Sequence, residues 1–390
     1  MKGRIAVVLS ALTLAACAEP PTTPTPTGMQ RSEIAPLLAR GGPDAIPGQY
    51  IVVMKDDADD PEGMARGAGA APIHVYTGVL RGFAARLSPQ AVEGLRRNPN
   101  VEYIEEDQTV TLAATQSGAT WGIDRIDQRN RPLSGTYTYT TTASGVYVYI
   151  IDTGIYTAHT QFGGRASNVF DAFGGNGQDC NGHGTHVAGT VGGSTYGVAK
   201  AVRLRGLRVL NCSGSGSTSG IIAGMDWVRN NRTNPAVANM SLGGGYSASL
   251  NTAANNLSNS GVFVAVASGN SNANACNYSP ASASAVTSVN ASTSTDAKAS
   301  FSNYGSCTHL YAPGASITSA WIGGTSATRA ISGTSMAAPH VAGVAALYKA
   351  TYGNASSSTI RTWLINNSTT GVITGNPSGT ANRLLFKSTL

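Results

Sequence analysis

Four apolar runs limit what this chain can fold into. Gly145–Ile151 reads Gly-Val-Tyr-Val-Tyr-Ile-Ile, and similar runs follow at Leu204–Leu210, Ala236–Leu242 and Gly261–Ala267. A run without polar alternation suits a strand buried on both faces. Between the runs lie helical stretches, Ser217–Arg229 and Ser249–Ser260, the second stopped by Gly261. Strand and helix in alternation predict a doubly wound, mostly parallel α/β sheet with helices on both faces. In such a sheet the working residues gather beyond the carboxyl ends of the strands.

A different pattern precedes it. Tyr50–Val53 is an apolar strand after Pro47-Gly48, and Gly82–Leu87 is a second. A helical pattern over Pro89–Arg97 stops at Asn98-Pro99, and Val101–Glu105 forms a last strand. These elements predict a small α+β unit. Residues 111–120 hold almost no core-forming side chain and no charge, so they read as an exposed boundary open to proteolysis.

At the N-terminus Lys2 and Arg4 precede an apolar stretch, Ile5–Ala16, that is too short to span a bilayer. Small residues at its exit complete an export signal, and Leu14-Ala15-Ala16-Cys17 resembles the end of a bacterial lipoprotein signal. The Pro/Thr-rich stretch after it reads as an extended tether. The expected division is an export signal over 1–17, a linker over 18–45, a small domain over 46–113 and a main domain over 114–390.

Charge follows the same division. Residues 1–113 carry 10 Lys+Arg against 13 Asp+Glu, net −3, and residues 114–390 carry 16 against 7, net +9. The basic residues are scattered, without a Lys/Arg run or an aromatic-interleaved patch, which argues against a nucleic-acid partner. Two complementary parts of one precursor fit the split better.

Four cysteines follow the tether: Cys180, Cys212, Cys276 and Cys307. An even number in an exported chain implies disulfides, with three connectivities open. Nearest-neighbour pairing would close loops of about 30 residues, each contributing roughly 3–4 kcal/mol on the chain-entropy model. Without a Cys-x-x-Cys pair, a four-cysteine zinc site is disfavoured.

Asp152 ends the first run in Ile-Ile-Asp-Thr-Gly, and Asn270 follows the last in Ala-Ser-Gly-Asn-Ser. Either alone is an ordinary turn signal, but both fall on the edge where a doubly wound sheet places its site. His183 lies in Asn-Gly-His-Gly-Thr-His at the start of a small-residue helix. Its flanking glycines let backbone and substrate approach. His186, three residues on, invites a metal reading, yet there is no His-Glu-x-x-His and no acidic residue in the helix. Ser335 opens a helix expected to run to about Lys349. A serine there is usually a cap. The free N–H groups and partial positive charge of a helix start also suit a developing oxyanion. Pro339 is read into the first turn, where it is tolerated, and His340 is given no role.

Taken together, Asp152-Thr-Gly, His183-Gly-Thr-His and Gly-Thr-Ser335-Met-Ala, in the order Asp…His…Ser, resemble the subtilisin-type serine proteases over nearly all of 114–390. The segment Trp121–Arg129 and the cysteine spacing are similar to the proteinase K branch, aqualysin-like enzymes in particular. Tyr50-Ile-Val-Val, Gly82-Phe-Ala-Ala and Asn98–Glu105 resemble the ferredoxin-like inhibitory pro-domain of that family, cut off near Ala113–Ala114.

The resemblance implies Ser335 as nucleophile, His183 as base, Asp152 as the group orienting it, and Asn270 with the Ser335 N–H as oxyanion donors. It places an extended peptide between Ser213, Gly214, Ser215, Gly216 and Ser241, Leu242, Gly243, Gly244, with Ala267, Ser268 and Gly269 lining the P1 pocket. No acidic residue falls in these segments, so broad preference for apolar or aromatic P1 residues is expected. It also implies the pairs Cys180–Cys212 and Cys276–Cys307. No cofactor is needed for the chemistry. A structural calcium ion is a candidate at Asp124, Asp127 and Gln128, but Ser134 stands where relatives often have Asp. At a second calcium site His309 replaces a ligating Asp. Hard cations need several oxygen ligands, so weakened or absent sites are expected.

The expected partners are protein and peptide substrates and the chain's own pro-domain. The protease would be monomeric and extracellular after maturation, with membrane contact only through a lipid on Cys17. Two rivals are a metal-dependent hydrolase on His183 and His186, and an inactive surface lipoprotein. The joint presence of Asp152, His183, Ser335 and Asn270 argues against both.

Overall fold

A computed structural model describes residues 34–38, 45–108 and 114–390. The expected export signal, Cys17, most of the linker and residue 113 of the expected cut lie outside the described residues. The chain divides into two compact units, one built on Pro47–Asp107 and the other on Gln108–Leu390.

The first unit is a five-stranded sheet in the order Leu37–Leu38, Val101–Gln108, Ala45–Met54, Gly82–Arg86, Pro72–Tyr76. Helices Pro61–Gly67 and Pro89–Arg96 complete a β-α-β-β-α-β sequence, the ferredoxin-like pattern. Ser88 caps the second helix by accepting from the Ala91 N–H, and Pro89 stands at its first position. Val92 and Leu95, three residues apart, then face a core of Val52, Met54, Phe83, Ala85 and Ile104. Three elements here escape the sequence pattern, the first being Leu37–Leu38, which falls in the expected linker and becomes a strand by backbone pairing with Val101–Gln108. The Pro61–Gly67 helix buries only Pro61 and Ala65, and the Pro72–Tyr76 strand is an exposed edge.

The second unit holds a nine-stranded sheet. Seven parallel strands run in the order Leu310–Pro313, Thr287–Ser292, Phe263–Ala267, Ala236–Met240, Tyr147–Asp152, Arg203–Arg208, Ala166–Asp171, and two short strands extend the first edge. The lack of alternation in Tyr147–Asp152 has a direct cause. Val148 and Ile150 enter one core with Val187, Val191 and Val341, while Tyr149 and Ile151 enter another with Met225, Val228 and Val264. The first core receives helices His183–Gly192 and Thr334–Tyr352, the second Thr218–Asn231 and Ala248–Asn259.

Tyr147–Asp152 pairs with Arg203–Arg208 on one side and Ala236–Met240 on the other. The chain goes out to Ala166–Asp171 and back through Arg203–Arg208 on one side before it crosses to Ala236–Met240 on the other, so the carboxyl end of the strand, Asp152, lies at the switch point where such sheets form their crevice. The boundary expected over 111–120 is narrower than its composition suggests, because Ala114–Ser117 pairs antiparallel with Thr136–Tyr139. Backbone bonding, which small polar residues do not advertise, recruits those four residues into the second unit.

Candidate active site

Asp152 is fully buried, and its Oδ1 accepts from the Asp152-flanking Thr153 N–H at 2.8 Å and from His183 Nδ1 at 2.8 Å. A carboxylate only accepts, so the proton sits on Nδ1 and Nε2 is left able to take one. Burial works to lower the His183 pKa, but the charge and hydrogen bond of Asp152, with the charge of Asp179 beyond, outweigh it and hold the pKa above the ordinary value.

Asp179 fixes the loop that delivers this histidine. Its Oδ1 accepts from Thr153 Oγ1, Asn181 N and Gly182 N, and its Oδ2 from Thr185 N and Oγ1, all between 2.6 and 2.9 Å. Thr153 Oγ1 accepts in turn from Gly184 N at 2.9 Å. The approach is so close that a Cβ on Gly184 would lie 2.2 Å from the Gly154 carbonyl oxygen. The start of the His183 helix is thus seated on the end of the Asp152 strand.

Ser335 is the second residue of its helix, and its Oγ donates to the Ser241 carbonyl at 3.1 Å. Pro339 is not in the first turn but is the sixth helical residue. Having no N–H, it cannot bond the Ser335 carbonyl four residues back. That carbonyl accepts from Ser241 Oγ at 2.7 Å instead, which pins the helix start to the 241–244 segment.

Asn270 Oδ1 accepts from Thr334 N and Thr334 Oγ1, both at 2.8 Å, which turns its Nδ2 donor the other way. A Cβ placed on Gly333 would lie 3.6 Å from both Asn270 Nδ2 and Ser335 N. Two donors therefore border one pocket of space that glycine leaves open, the arrangement an oxyanion requires.

A groove of about 540 Å³ is lined by His183, Asn270 and Ser335 together with Gly214, Ser215, Gly216, Ser241, Leu242, Gly243 and Gly244. A smaller cavity of about 210 Å³ adjoins it, lined by Ala267, Ser268, Gly269, Tyr278 and Ala281, with no carboxylate among its lining residues. Ser213 lines neither; its N–H turns to Asn211 Oδ1. A third cavity of about 510 Å³, between helices Thr218–Asn231 and Ala248–Asn259, is lined by none of Asp152, His183, Asn270 or Ser335.

The disulfides are Cys180–Cys212 and Cys276–Cys307, with Cα separations of 4.9 and 5.3 Å. The first ties the loop before His183 to the loop leading into Gly214–Gly216. His186 is a pin rather than a ligand. It is buried, its Nε2 donates to the carbonyls of Ile317 and Arg329, and burial drives its pKa down to about 4. His340 Nδ1 likewise donates to the Met336 carbonyl.

The oxygens considered for calcium already have protein donors. Asp124 accepts from Ser134 N, Ser134 Oγ and Gly135 N. Asp127 accepts from Thr138 N and Oγ1 and pairs with Lys387 at 2.9 Å. Gln128 Oε1 accepts from Ser134 N at 3.0 Å. Among the described residues no group of three or more His, Cys, Asp or Glu could hold a metal ion. The donor set does not fit calcium.

Sequence reasoning gave no role to Thr153, Gly333 or Thr334, although all three stand inside the quoted motifs, and it passed over Asp179, for which an acid just before the Asn181-Gly-His segment was the available signal.

Comparison with known proteins completes the description. The sequence model of the Subtilase family matches residues 143–384, and that of peptidase inhibitor I9 matches 49–113. The chain is 50% identical to an extracellular serine proteinase of Thermus sp. (strain Rt41A), over 99% of each chain. It is 46% identical to proteinase R of Parengyodontium album, over 98% of each. The solved structure of a cold adapted subtilisin-like serine proteinase is 50% identical, with a TM-score of 0.68, covering 70% of this chain and 99% of that one.

Proposed function

The chain belongs to the subtilase family and carries an I9-type inhibitor segment, and from that premise we propose how its own residues hydrolyse a peptide bond. It is a serine endopeptidase made as a secreted zymogen, and the chemistry needs no cofactor. In the proposed mechanism a peptide lies as an added strand between Gly214–Gly216 and Ser241–Gly244. Ser335 Oγ turns from the Ser241 carbonyl to His183, gives up its proton to Nε2 and attacks the scissile carbon. Asp152 holds the tautomer and stabilises the imidazolium. Asn270 Nδ2 and the Ser335 N–H receive the oxyanion. His183 then protonates the leaving amine, and water, activated by the same nitrogen, hydrolyses the acyl-enzyme.

The observation that carries this reading is the 2.8 Å bond from His183 Nδ1 to buried Asp152, beside two donors that border one open space. The carboxylate-free cavity of Ala267, Ser268 and Gly269 supports apolar or aromatic P1 residues. The segment matched by the inhibitor model is read as an intramolecular inhibitor removed near Ala113–Ala114. The enzyme is proposed to act as a monomer, with attachment through Cys17 resting on the sequence alone. Among the described residues no helix is long and apolar enough to cross a membrane.

Intact mass of the purified wild type beside Ser335→Ala, both without the export signal, tests the reading. Wild type should lose a piece ending near Ala113 while the variant stays full length. Equal trimming of both, or of neither, together with no cleavage of peptide substrates by the wild type, would sink it.

A further inference from the structure

The subtilisin-like resemblance places calcium ions at two positions of the second unit, and both are wired to side-chain cations. Around Asp124, Asp127 and Gln128, the Lys387 ammonium is 2% exposed, reaches Asp127 at 2.9 Å and also donates to the Leu390 carbonyl at 2.8 Å. Arg125, fully buried, donates to the Gln128 carbonyl at 2.6 Å and to the Arg129 carbonyl at 3.2 Å, and pairs with Asp296 at 2.7 Å. Ser134, with a hydroxyl in place of a carboxylate, supplies donors to Asp124 and Gln128 rather than an anionic ligand.

The second position is occupied in the same way. His309 stands where a ligating Asp is expected, and its Nδ1 accepts from the Ser288 N–H at 3.1 Å. Nearby, Arg361 Nη1 donates to the carbonyls of Ser284 at 2.8 Å and Val286 at 3.1 Å. Backbone carbonyls are the ligand type a hard cation takes; here two of them converge on a guanidinium. Arg361 and Arg383 both lie close enough to act on the His309 imidazole, so the local field is positive and would repel a divalent ion.

We propose that Lys387 and Arg361 are built-in cations that replace divalent ions at these two positions, so that the folded state is held by its own ammonium and guanidinium groups and is indifferent to calcium. A bound ligand raises stability by an amount that grows with the logarithm of its concentration over its dissociation constant from the folded state. Where the ligand oxygens are already bonded, that term vanishes.

The test is thermal unfolding of the full chain carrying Ser335→Ala, which prevents self-digestion, in excess EDTA and in millimolar calcium. The melting temperatures should agree within ~1 °C, and isothermal titration with calcium should show no saturable heat. In the same background Lys387→Met and Arg361→Leu should each lower the melting temperature by roughly 2–4 °C in both buffers. A melting temperature that falls by about 5 °C or more in EDTA and is restored by calcium would overturn the proposal. So would Lys387→Met and Arg361→Leu proteins that melt with the parent. Because unfolding is read without turnover, either result is independent of whether the peptidase mechanism is right.

Discussion

At Gly333 one hydrogen separates an open site from a filled one. Its φ of 163° is extended backbone that any residue adopts, and a Cβ there would meet only ordinary van der Waals contacts. Yet that Cβ would lie 3.6 Å from both Asn270 Nδ2 and Ser335 N, in the space the proposed mechanism gives to the oxyanion. Gly333→Ala should therefore fold with an unchanged melting temperature and lose about 10²–10³ in kcat, the scale of losing one oxyanion donor; that figure comes from a subtilisin, so it is a relative's value. Paired thermal melts and peptide-hydrolysis kinetics check this, and a variant with wild-type kcat would remove Gly333 from the argument. Residues such as Asp152, His183 and Ser335 were legible in the sequence because each sits in a distinctive motif at the end of a run or the start of a helix. The parts played by Asp179 and Thr334 were not, since five donors reach Asp179, and Thr334 reaches Asn270 Oδ1, only after folding.

The loop between the Asp152 strand and the His183 helix is held by the five hydrogen bonds that Asp179 accepts. Neutralising that carboxyl by Asp179→Asn replaces a charged acceptor with an amide that must turn one donor toward N–H groups. Hydrogen bonds to charged groups contribute about 1.5–3 kcal/mol, so stability should fall by that order. The pH profile should move as well. Asp179 helps raise the His183 pKa, and the proposed mechanism needs His183 neutral, so losing that charge should lower the pKa and carry the acid limb of kcat/KM to lower pH. A lowered melting temperature with an unmoved acid limb would mean that Asp179 is structural alone. Elements buried on both faces, such as Tyr147–Asp152 and Phe263–Ala267, could be read from composition. Ala114–Ser117 and Pro72–Tyr76 could not, because backbone pairing rather than side-chain burial makes them strands. Pro339 was placed a turn too early, and its correct position explains why the Ser335 carbonyl is free for Ser241.

Over the whole molecule, the sheet is joined by its backbone ladders and by packing, while both disulfides lie in loops outside it. Cys180–Cys212 is the one that bears on turnover: a base arrives on one of its loops and the wall for an extended peptide on the other. On the proposed mechanism, breaking this bond would loosen the alignment of His183 with Gly214–Gly216. Mild reduction of the mature enzyme should cost activity before it costs tertiary structure. Parallel records of peptide hydrolysis and near-ultraviolet circular dichroism against dithiothreitol will separate the two, and simultaneous loss would show that the cross-links hold the fold itself. A chain stranded in a reducing compartment would then possess its core and its three catalytic side chains and still be a poor protease, so that competence is conferred by the place where the molecule is oxidised as much as by the cut that matures it.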